Sequence, residues 1–352
     1  MSDSFAASVV RWQKKHGRHH LPWQSDTSPY SVWLSEVMLQ QTQATTVEPY
    51  YLNFMRRWPR MESLARADTD KVMAAWSGLG YYARARNLHA TAKTIYRHGF
   101  PKSAEEWRQL PGVGKSTASA IAVFSHGERA AILDGNVKRV LARAFAVQTP
   151  INTPAGEREL WSLAESLLPR GNAIRAYSQG MMDLGALICI RRTPKCNECP
   201  LLSRCESARL GITDELPRRQ TKRPRPLKNI VMALVRHGGK VWLERRPPRG
   251  IWGGLWSFPQ NESAARLRKQ CEARLGCSLI RRAVGEFHHG FTHYELRARV
   301  MTWECVTKPK TPENTSWINR RDIVKTALPS PIKKYLEEAG WAGNSAPICK
   351  KQ

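Results

Sequence analysis

The sequence predicts a multidomain protein, with an all-α amino-terminal domain that ends in a cysteine-rich loop and an α+β carboxy-terminal domain. Three observations support this prediction. Apolar residues recur at helical spacing through residues 5–205. Four of the eight cysteines lie within seventeen residues at the end of that part. From Asn229 onward the pattern changes to short, strand-like stretches.

The amino-terminal domain is predicted at residues 1–216. Its apolar residues follow a helical period in separate stretches, which proline and glycine interrupt. These stretches are Phe5–Trp12, Val32–Leu39, Val72–Trp76, Ala118–Phe124, Val137–Phe145 and Leu160–Leu168. Strand-like alternation is scarce here, so we expect helices throughout.

The cysteine-rich loop at residues 189–205 predicts a metal site. Its spacing is Cys189-x6-Cys196-x2-Cys199-x5-Cys205. Thiolates are soft ligands that hold zinc or iron–sulfur clusters. A zinc ribbon has two short cysteine hooks that face each other, whereas this loop has one hook flanked at unequal distances. The asymmetry favours an iron–sulfur cubane, although spacing alone leaves zinc and buried or disulfide-bonded cysteines open.

The character of the sequence changes after this loop. Residues 217–228 contain six basic residues, three prolines and no acid, which is typical of an extended, solvated linker. We place the second domain at residues 229–345 and a tail at residues 346–352. Strand patterns are Ile230–Arg236, Lys240–Glu244, Glu286–His289 and Tyr294–Thr302, and helical patterns are Ser263–Leu275 and Pro331–Ala339.

The charge of the chain narrows the choice of partner. There are 56 basic and 29 acidic residues, which gives a net charge of +27. Such an excess usually marks a nucleic-acid partner, and it falls on both halves of the chain. The first ten residues lack the pattern of a secretory signal, and no apolar run approaches the roughly 20 residues of a membrane span. We expect a cytoplasmic, nucleoid-associated protein with no membrane partner.

The segment Leu110–Ser116 (LPGVGKS) precedes an apolar helix. Its glycines allow a tight turn, and the helix start offers unpaired N–H groups to a phosphate, with added charge from Lys115. It is not a P-loop, because the Gly-x4-Gly-Lys spacing is absent. An ordinary helix–turn–helix corner remains open, but in so basic a chain we favour phosphate binding.

Two carboxylates are candidates for chemistry. Glu36 lies in an unusually apolar helical stretch. If its side chain points inward, desolvation raises its pKa and makes it a general acid; if it points outward, it has no such role. Asp134 precedes an apolar helix and is first of all a helix cap, which does not prevent it from projecting into a cleft. Two such acids can break a glycosidic bond, one protonating the leaving group and one stabilising the sugar cation.

Seven segments, in the same order, resemble the adenine DNA glycosylases of the MutY family, within the helix–hairpin–helix superfamily that includes endonuclease III. They are LPW (21–23), WLSEVMLQQTQ (33–43), GLGYYARARNL (78–88), LPGVGKSTA (110–118), ILDGNVKRVLAR (132–143), MMDLGALIC (181–189) and the cysteine loop. The resemblance implies removal of adenine mispaired with 8-oxoguanine or guanine in duplex DNA. It also implies a [4Fe–4S] cluster held by Cys189, Cys196, Cys199 and Cys205.

The resemblance assigns roles to other residues. Glu36 matches the general acid that protonates adenine at N7, and Asp134 matches the carboxylate that stabilises the sugar cation. The adenine pocket is expected to contain Trp23, Asn136 and Asp183. The expected DNA contacts are Gln41, Thr42, Tyr81, Gly112, Gly114, Lys115, Ser116 and Lys138. Among these, Gln41 and Tyr81 match residues that wedge into the duplex.

Ser116 distinguishes two reaction types. Endonuclease III and other bifunctional relatives carry a nucleophilic lysine at this position. Lys115 is one place earlier, and one step along a helix rotates a side chain by about 100°. We therefore expect a monofunctional glycosylase. We also expect the protein to act as a monomer.

The second domain resembles the MutT-like (Nudix) domain that the family appends, most clearly at Glu244–Pro259. Nudix hydrolases hold Mg²⁺ with several helical carboxylates, whereas Ala264–Ser278 contains one acid, Glu272. We expect recognition of the lesion without hydrolysis. The residues that match the 8-oxoguanine loop are Phe291, Thr292 and His293, with threonine in place of the usual serine.

Three alternatives remain at this point. An endonuclease III-like lyase is disfavoured by Ser116 and by the long carboxy-terminal domain. A Nudix nucleotide hydrolase is disfavoured by the missing carboxylates. A non-catalytic DNA-binding protein that uses a cluster for redox signalling is the third.

Overall fold

The computed structural model describes residues 4–221, 224–248 and 250–341, so the predicted tail at 346–352 lies outside the described residues. The chain forms two compact units. One contains Met1–Arg66 and Asn87–Lys222, and the other contains Ala67–Arg86 and Arg223–Gln352. The sequence assigned residues 67–86 to the first domain, whereas the structure groups them with the second. This segment hydrogen-bonds to residues of the second domain, including Leu328 and Gly253.

Helices form the whole regular structure of the amino-terminal part in the described residues. In chain order they are α1 (Phe5–His16), α2 (Pro22–Ser25), α3 (Pro29–Leu39), α4 (Ala44–Arg57), α5 (Met61–Ala65), α6 (Thr69–Ala75), α7 (Ala83–His98), α8 (Ala104–Arg108), α9 (Lys115–His126), α10 (Gly135–Ala144), α11 (Pro154–Ser166), α12 (Ile174–Leu187) and α13 (Glu206–Arg209). The predicted all-α character is confirmed.

Side-chain caps fix where several of these helices begin. The hydroxyl of Ser28 accepts a hydrogen bond from the N–H of Ser31 at the start of α3, and Thr153 caps α11 in the same way. Such caps satisfy N–H groups that have no partner within the helix. In the first unit, α12 packs against α1, α9 and α10 around a core that includes Val9, Leu141 and Leu184. This core fixes the positions of α9 and α10, which carry predicted site residues.

A seven-stranded sheet occupies the second unit in the residues that the structure describes. Its strands are β1 (Leu227–His237), β2 (Lys240–Arg245), β3 (Trp256–Ser257), β4 (Gln260–Asn261), β5 (Leu279–Gly290), β6 (Glu295–Cys305) and β7 (Thr315–Asn319). The main order is β3-β2-β1-β6-β5, and β4 pairs with β1 and β7 with β2. Strands β1 and β6 run parallel, with Val235 opposite Trp303.

Two helices complete the second unit. They are α14 (Ala264–Leu275) and α15 (Ser330–Glu338). Leu267, Cys271 and Leu275 of α14 pack against Val235 and Trp242 of the sheet, because one face of the helix is apolar. The predicted α+β class is confirmed. The sequence missed β3, β4 and β7, and β3 and β4 have only two residues each, too few to show a period. No helix in the described ranges is long and apolar enough to cross a membrane.

Candidate active site

A cavity of about 1210 Å³ in the first unit brings the predicted catalytic residues together. Glu36 reaches it from α3, Ser116 from α9, and Asp134 from the residue that precedes α10. Trp23 of α2 and Asn136 of α10 also line it. Residues that are far apart in the sequence therefore line one cavity.

Glu36 is the one charged residue of the largely apolar helix α3. Eight of the eleven residues of α3 are buried. Part of the Glu36 side chain reaches the cavity, yet the dense protein around it removes most of the water from the carboxyl. This desolvation, together with the negative charge of Asp134, raises the pKa of Glu36 to about 8. Glu36 therefore carries a proton at neutral pH.

Asp134 is both a helix cap and a cavity residue. Its Oδ1 accepts hydrogen bonds from the N–H groups of Asn136 (2.9 Å) and Val137 (2.8 Å), and its Oδ2 accepts one from Asn136 Nδ2 (3.0 Å). Burial raises the pKa of Asp134, while these hydrogen bonds and the nearby charge of Arg139 oppose the rise. The hydrogen bonds and Arg139 thus stabilise the charged form of Asp134, whereas the charge of Asp134 disfavours the charged form of Glu36.

A hydrogen-bonded chain connects Asp134 to the cysteine loop. Asn136 Oδ1 accepts from Arg139 Nη2 at 2.9 Å. Arg139 Nε in turn donates to the carbonyl oxygen of Cys189 at 2.6 Å. Asp134 and Asn136 are therefore linked through Arg139 to the main chain of Cys189, the first residue of the cysteine loop.

The glycine-containing segment forms a tight corner before α9. Gly112 has φ +79°, which favours glycine, and a Cβ atom there would lie 2.8 Å from Cβ of Asn87. Gln40 Nε2 donates to the carbonyl oxygen of Gly112 at 3.1 Å, which links the corner to the end of α3. Gly114 is the N-cap of α9 and contributes no side-chain hydrogen bond to its first N–H groups. Phosphate oxygens are suitable acceptors for such N–H groups.

Ser116 and Lys115 point in different directions. Ser116 lines the cavity, and its Oγ accepts from the N–H of Leu133 at 3.1 Å. Lys115 Nζ forms an ion pair with Glu165 Oε1 at 3.0 Å and lies 3.8 Å from the centre of the Trp161 ring. Of these two residues, the one that lines the cavity with Glu36 and Asp134 thus carries a hydroxyl group and not an amine.

The other predicted DNA contacts in the first unit fall in two places. Gln41 and Thr42 line the cavity, and Gln41 has φ +57° in the turn after α3. Lys138 Nζ pairs with Glu157 Oε1 at 2.9 Å, so its charge is directed toward α11.

Asp183, which is expected in the adenine pocket, is hydrogen-bonded to two residues that line the cavity. This residue is fully buried behind the cavity wall, where it accepts hydrogen bonds from Arg18 Nε (2.7 Å) and Gln179 Nε2 (2.8 Å). Arg18 and Gln179 line the cavity in its place. The sequence reasoning missed both residues. A buried acid needs a charged or hydrogen-bonding partner, so the acid in the apolar run MMDLGALI was the available signal.

The four cysteines of the loop at residues 189–205 are partly buried and form no disulfide bonds. Burial and the neighbouring cysteines raise the pKa of Cys199 to about 11. Arg143 is 2% exposed, and its Nη1 lies 3.4 Å from Cys189 Sγ. Across the described ranges, no group of three or more His, Cys, Asp or Glu side chains is arranged to hold a metal ion. The donor set nevertheless has the chemistry of a cluster site, with four soft ligands beside a guanidinium that would balance their charge.

The predicted lesion-recognition residues form the tip of the β5–β6 hairpin in the second unit. Phe291 N–H donates to the carbonyl oxygen of Tyr294 at 2.9 Å, which closes the turn. The Phe291 ring lies 4.6 Å from the His289 ring, while Thr292 and His293 are exposed. The tip therefore exposes the polar side chains of Thr292 and His293 next to the packed rings of Phe291 and His289.

Glu272, the one acidic residue of α14, has a structural role. Glu272 Oε1 accepts hydrogen bonds from Arg268 Nε and from the N–H of Leu279, both at 3.0 Å. Its carboxylate therefore joins α14 to the start of β5.

Comparisons with known proteins agree with this arrangement. The family of HhH-GPD superfamily base excision DNA repair proteins matches residues 34–166, and the NUDIX domain family matches residues 230–338. The adenine DNA glycosylase of Buchnera aphidicola subsp. Baizongia pistaciae is 36% identical over 343 residues, covering 94% of this chain and 95% of that protein. The chain belongs to the adenine DNA glycosylase family.

Other members and solved structures extend this family comparison. The human adenine DNA glycosylase is 29% identical, covering 95% of this chain and 73% of that protein. A thermostable thymine-DNA glycosylase is 28% identical with a TM-score of 0.53, covering 58% of this chain and 95% of that one. An endonuclease III–DNA complex shares the fold, with 18% identity, a TM-score of 0.50 and coverage of 59% and 94%. The predicted helix–hairpin–helix and Nudix-like fold is thus confirmed.

Proposed function

We propose that this protein is a monofunctional, monomeric glycosylase of base excision repair that removes adenine mispaired with 8-oxoguanine or guanine in duplex DNA. The observation that carries the proposal is the pair of carboxylates in one cavity, with the pKa of Glu36 raised to about 8 beside Asp134. Removing adenine opposite these bases would prevent G:C to T:A transversions.

The reaction begins when adenine leaves the stack and enters the cavity between Trp23 and Asn136, at a cost of a few kcal/mol. Glu36 donates its proton to N7 of the base. The C1′–N9 bond then breaks, and its electron pair goes to the protonated base, which leaves as neutral adenine. The carboxylate of Asp134 stabilises the sugar cation that remains. Water adds to C1′ and returns a proton to a carboxylate, which leaves an abasic site.

The environment of Ser116 supports monofunctional chemistry. A lyase needs an amine that can form a Schiff base with the abasic sugar. Lys115 is held by Glu165 and Trp161, away from the carboxylates, so the DNA strand stays intact after adenine leaves.

Several residues of the chain are proposed to contact the duplex, consistent with its net charge of +27. Gly112, Gly114 and the start of α9 would bind backbone phosphate through N–H groups. The side chains proposed at the adenine strand are Gln41, Thr42, Tyr81, Lys115, Ser116 and Lys138. Those proposed at 8-oxoguanine are Phe291, Thr292 and His293.

We also infer that Cys189, Cys196, Cys199 and Cys205 hold a [4Fe–4S] cluster. When bound, the cluster would cross-link the loop and leave the glycosidic chemistry to the carboxylates. Arg143 beside Cys189 would balance part of its negative charge. Iron and sulfide analysis of protein purified without oxygen tests this, with four of each per chain expected.

A glycosylase assay tests the proposed activity. Duplexes carry adenine opposite 8-oxoguanine, guanine or thymine, and products are analysed with and without alkali. We expect adenine release opposite the first two bases, with strand breaks only after alkali. Release of no adenine would contradict the proposal, and alkali-independent cleavage with efficient borohydride trapping would favour the lyase.

A further inference from the structure

The turn that carries Tyr81 is part of the second compact unit. We define the Tyr81 turn as residues 77–82. It lies in the segment Ala67–Arg86, which forms one unit with residues 223–352. Tyr81 itself is 53% exposed and has φ +47°, a conformation that non-glycine residues adopt only when their surroundings enforce it.

Contacts inside the segment fix the shape of the turn. Trp76 Nε1 donates to the carbonyl oxygen of Gly80 at 3.1 Å, and Arg84 Nη2 donates to that of Leu79 at 3.1 Å. The Arg84 guanidinium also lies 5.6 Å from the centre of the Tyr81 ring, within cation–π range. Arg84 therefore contacts one side of the Tyr81 ring, and the exposed part of the ring is accessible to a ligand.

Contacts with the carboxy-terminal domain anchor the turn on both sides. Ser77 Oγ and Tyr82 Oη both donate to the carbonyl oxygen of Leu328, at 3.2 and 3.0 Å. Arg86 Nη1 donates to the carbonyl oxygen of Gly253 at 2.6 Å. Leu328 is fully buried and Tyr82 is 7% exposed, so the hydrogen bond from Tyr82 to Leu328 is shielded from water. Loss of a buried partner costs more than loss of an exposed one.

An ion pair adds a further attachment. Arg245 of β2 contacts both carboxylate oxygens of Asp70 at the start of α6, with Nη1 3.1 Å from Oδ2. This geometry is bidentate and therefore directional. The segment is thus attached to residues of three parts of the second domain, at Arg245, Gly253 and Leu328.

We propose that the carboxy-terminal domain holds the Tyr81 turn in the shape that wedges into DNA, with Tyr82 and Arg86 as the positioning residues. The proposal rests on the proposed function, since it takes Tyr81 as a wedge. It implies that the domain has two roles, one through the hairpin tip at residues 291–293 and one through this turn. Loss of the domain would then impair extrusion of adenine opposite any base, and not only the preference for 8-oxoguanine.

The test uses the full chain and Tyr82→Phe, which removes one hydroxyl and keeps the ring. Arg86→Met is the second variant. Extrusion is followed by the fluorescence of 2-aminopurine placed beside the target adenine, and kcat/KM is measured on the same duplex. We expect each variant to reduce both signals by about three- to tenfold, as for loss of one buried hydrogen bond. In a Tyr81→Ala background the same changes should have less than a twofold effect, because the wedge is already gone.

Tyr30→Phe is the matched control. Tyr30 Oη donates to the carbonyl oxygen of Trp58 at 2.6 Å, so this variant also removes a buried hydroxyl bonded to a main-chain oxygen, but in the first unit. It should leave extrusion unchanged. Equal effects of Tyr82→Phe with and without Tyr81, or an unchanged fluorescence signal, would overturn the proposal.

Hydrogen exchange separates failure of this proposal from failure of the proposed function. In the free protein, amides of residues 77–82 should exchange faster in Tyr82→Phe and Arg86→Met, and at the original rate in Tyr30→Phe. A wild-type chain that releases no adenine contradicts the proposed function, yet the exchange rates still decide whether the domain holds the turn. Unchanged rates would refute the anchoring itself.

Discussion

The catalytic cavity of the first unit and the hairpin tip of the second unit hold their functional side chains in opposite ways. Glu36 and Asp134 sit in a desolvated site on capped helices, and burial raises both of their pKa values. Thr292 and His293 stand exposed at the end of two strands. Burial changes the pKa of a carboxyl group and so its ability to transfer a proton. Exposed side chains can instead contact a binding partner directly. The first arrangement suits proton transfer and the second suits recognition.

The largest effect that tests this contrast is expected for Glu36→Gln. The amide keeps the shape of the side chain but cannot donate a proton of suitable acidity, so the single-turnover rate should fall by about 10²–10⁴-fold. The matched control is Glu159→Gln on α11, where the carboxylate is exposed, and its rate should remain that of wild type. Equal rates for the two variants would remove Glu36 from the reaction.

Glu36→Gln should also remain folded. The folded-state pKa of about 8 lies above the ordinary value of 4.5, so between these values the unfolded chain loses the Glu36 proton while the folded chain keeps it. The free energy of unfolding therefore decreases as the pH rises from 4.5 to about 8. Glutamine avoids that cost. Thermal unfolding at pH 8 should therefore show a Tm equal to or above that of wild type, and a large decrease in Tm would mean that lost activity reflects unfolding.

Asp134→Asn is expected to have the next largest effect. Asparagine can still cap α10, so the free energy of unfolding should change by less than about 1 kcal/mol. The negative charge that stabilises the sugar cation is lost, and the rate should fall by about 10²–10³-fold. Denaturant unfolding and single-turnover kinetics on the same samples separate the two roles. A large loss of stability with a small loss of rate would make Asp134 a cap alone.

The hairpin tip should show smaller effects that depend on the lesion. His293→Ala is expected to lower the preference for 8-oxoguanine:adenine over guanine:adenine by about five- to tenfold, as for loss of one hydrogen bond. The pH dependence of the reaction should be unchanged, since the carboxylates are untouched. Thr292→Ser, which keeps the hydroxyl, serves as the control and should change the preference by less than about twofold. If His293→Ala left the preference unchanged, His293 would not be a lesion-recognition residue.

How much the sequence could predict differs between the two units. The apolar helix around Glu36 and the capping position of Asp134 are local properties that the sequence shows directly. That the two share a cavity was predicted only by the family resemblance. Asp183 and Gln179 are one turn apart on α12, so a list of residues cannot say which of them reaches the cavity wall. Only the packing of α1 against α12 shows that it is Gln179.

The assignment of residues 67–86 to the second unit could not be predicted for a different reason. Its anchors are the carbonyl oxygens of Leu328 and Gly253, and every residue has a carbonyl group. Neither the type nor the spacing of the side chains marks such a contact. Strands β3 and β4 were missed because two residues cannot show alternation. In both cases the sequence does not show which main-chain atoms, far apart along the chain, lie close together in space.

The pH dependence of a single turnover tests the central claim most directly. If Glu36 supplies the proton, the rate of adenine release should be nearly constant below about pH 7 and should fall tenfold per pH unit above its pKa of about 8. The same measurement on Glu36→Gln should show a low rate without that decline. A wild-type rate that stays constant through pH 9, or falls only below pH 6, would contradict the account.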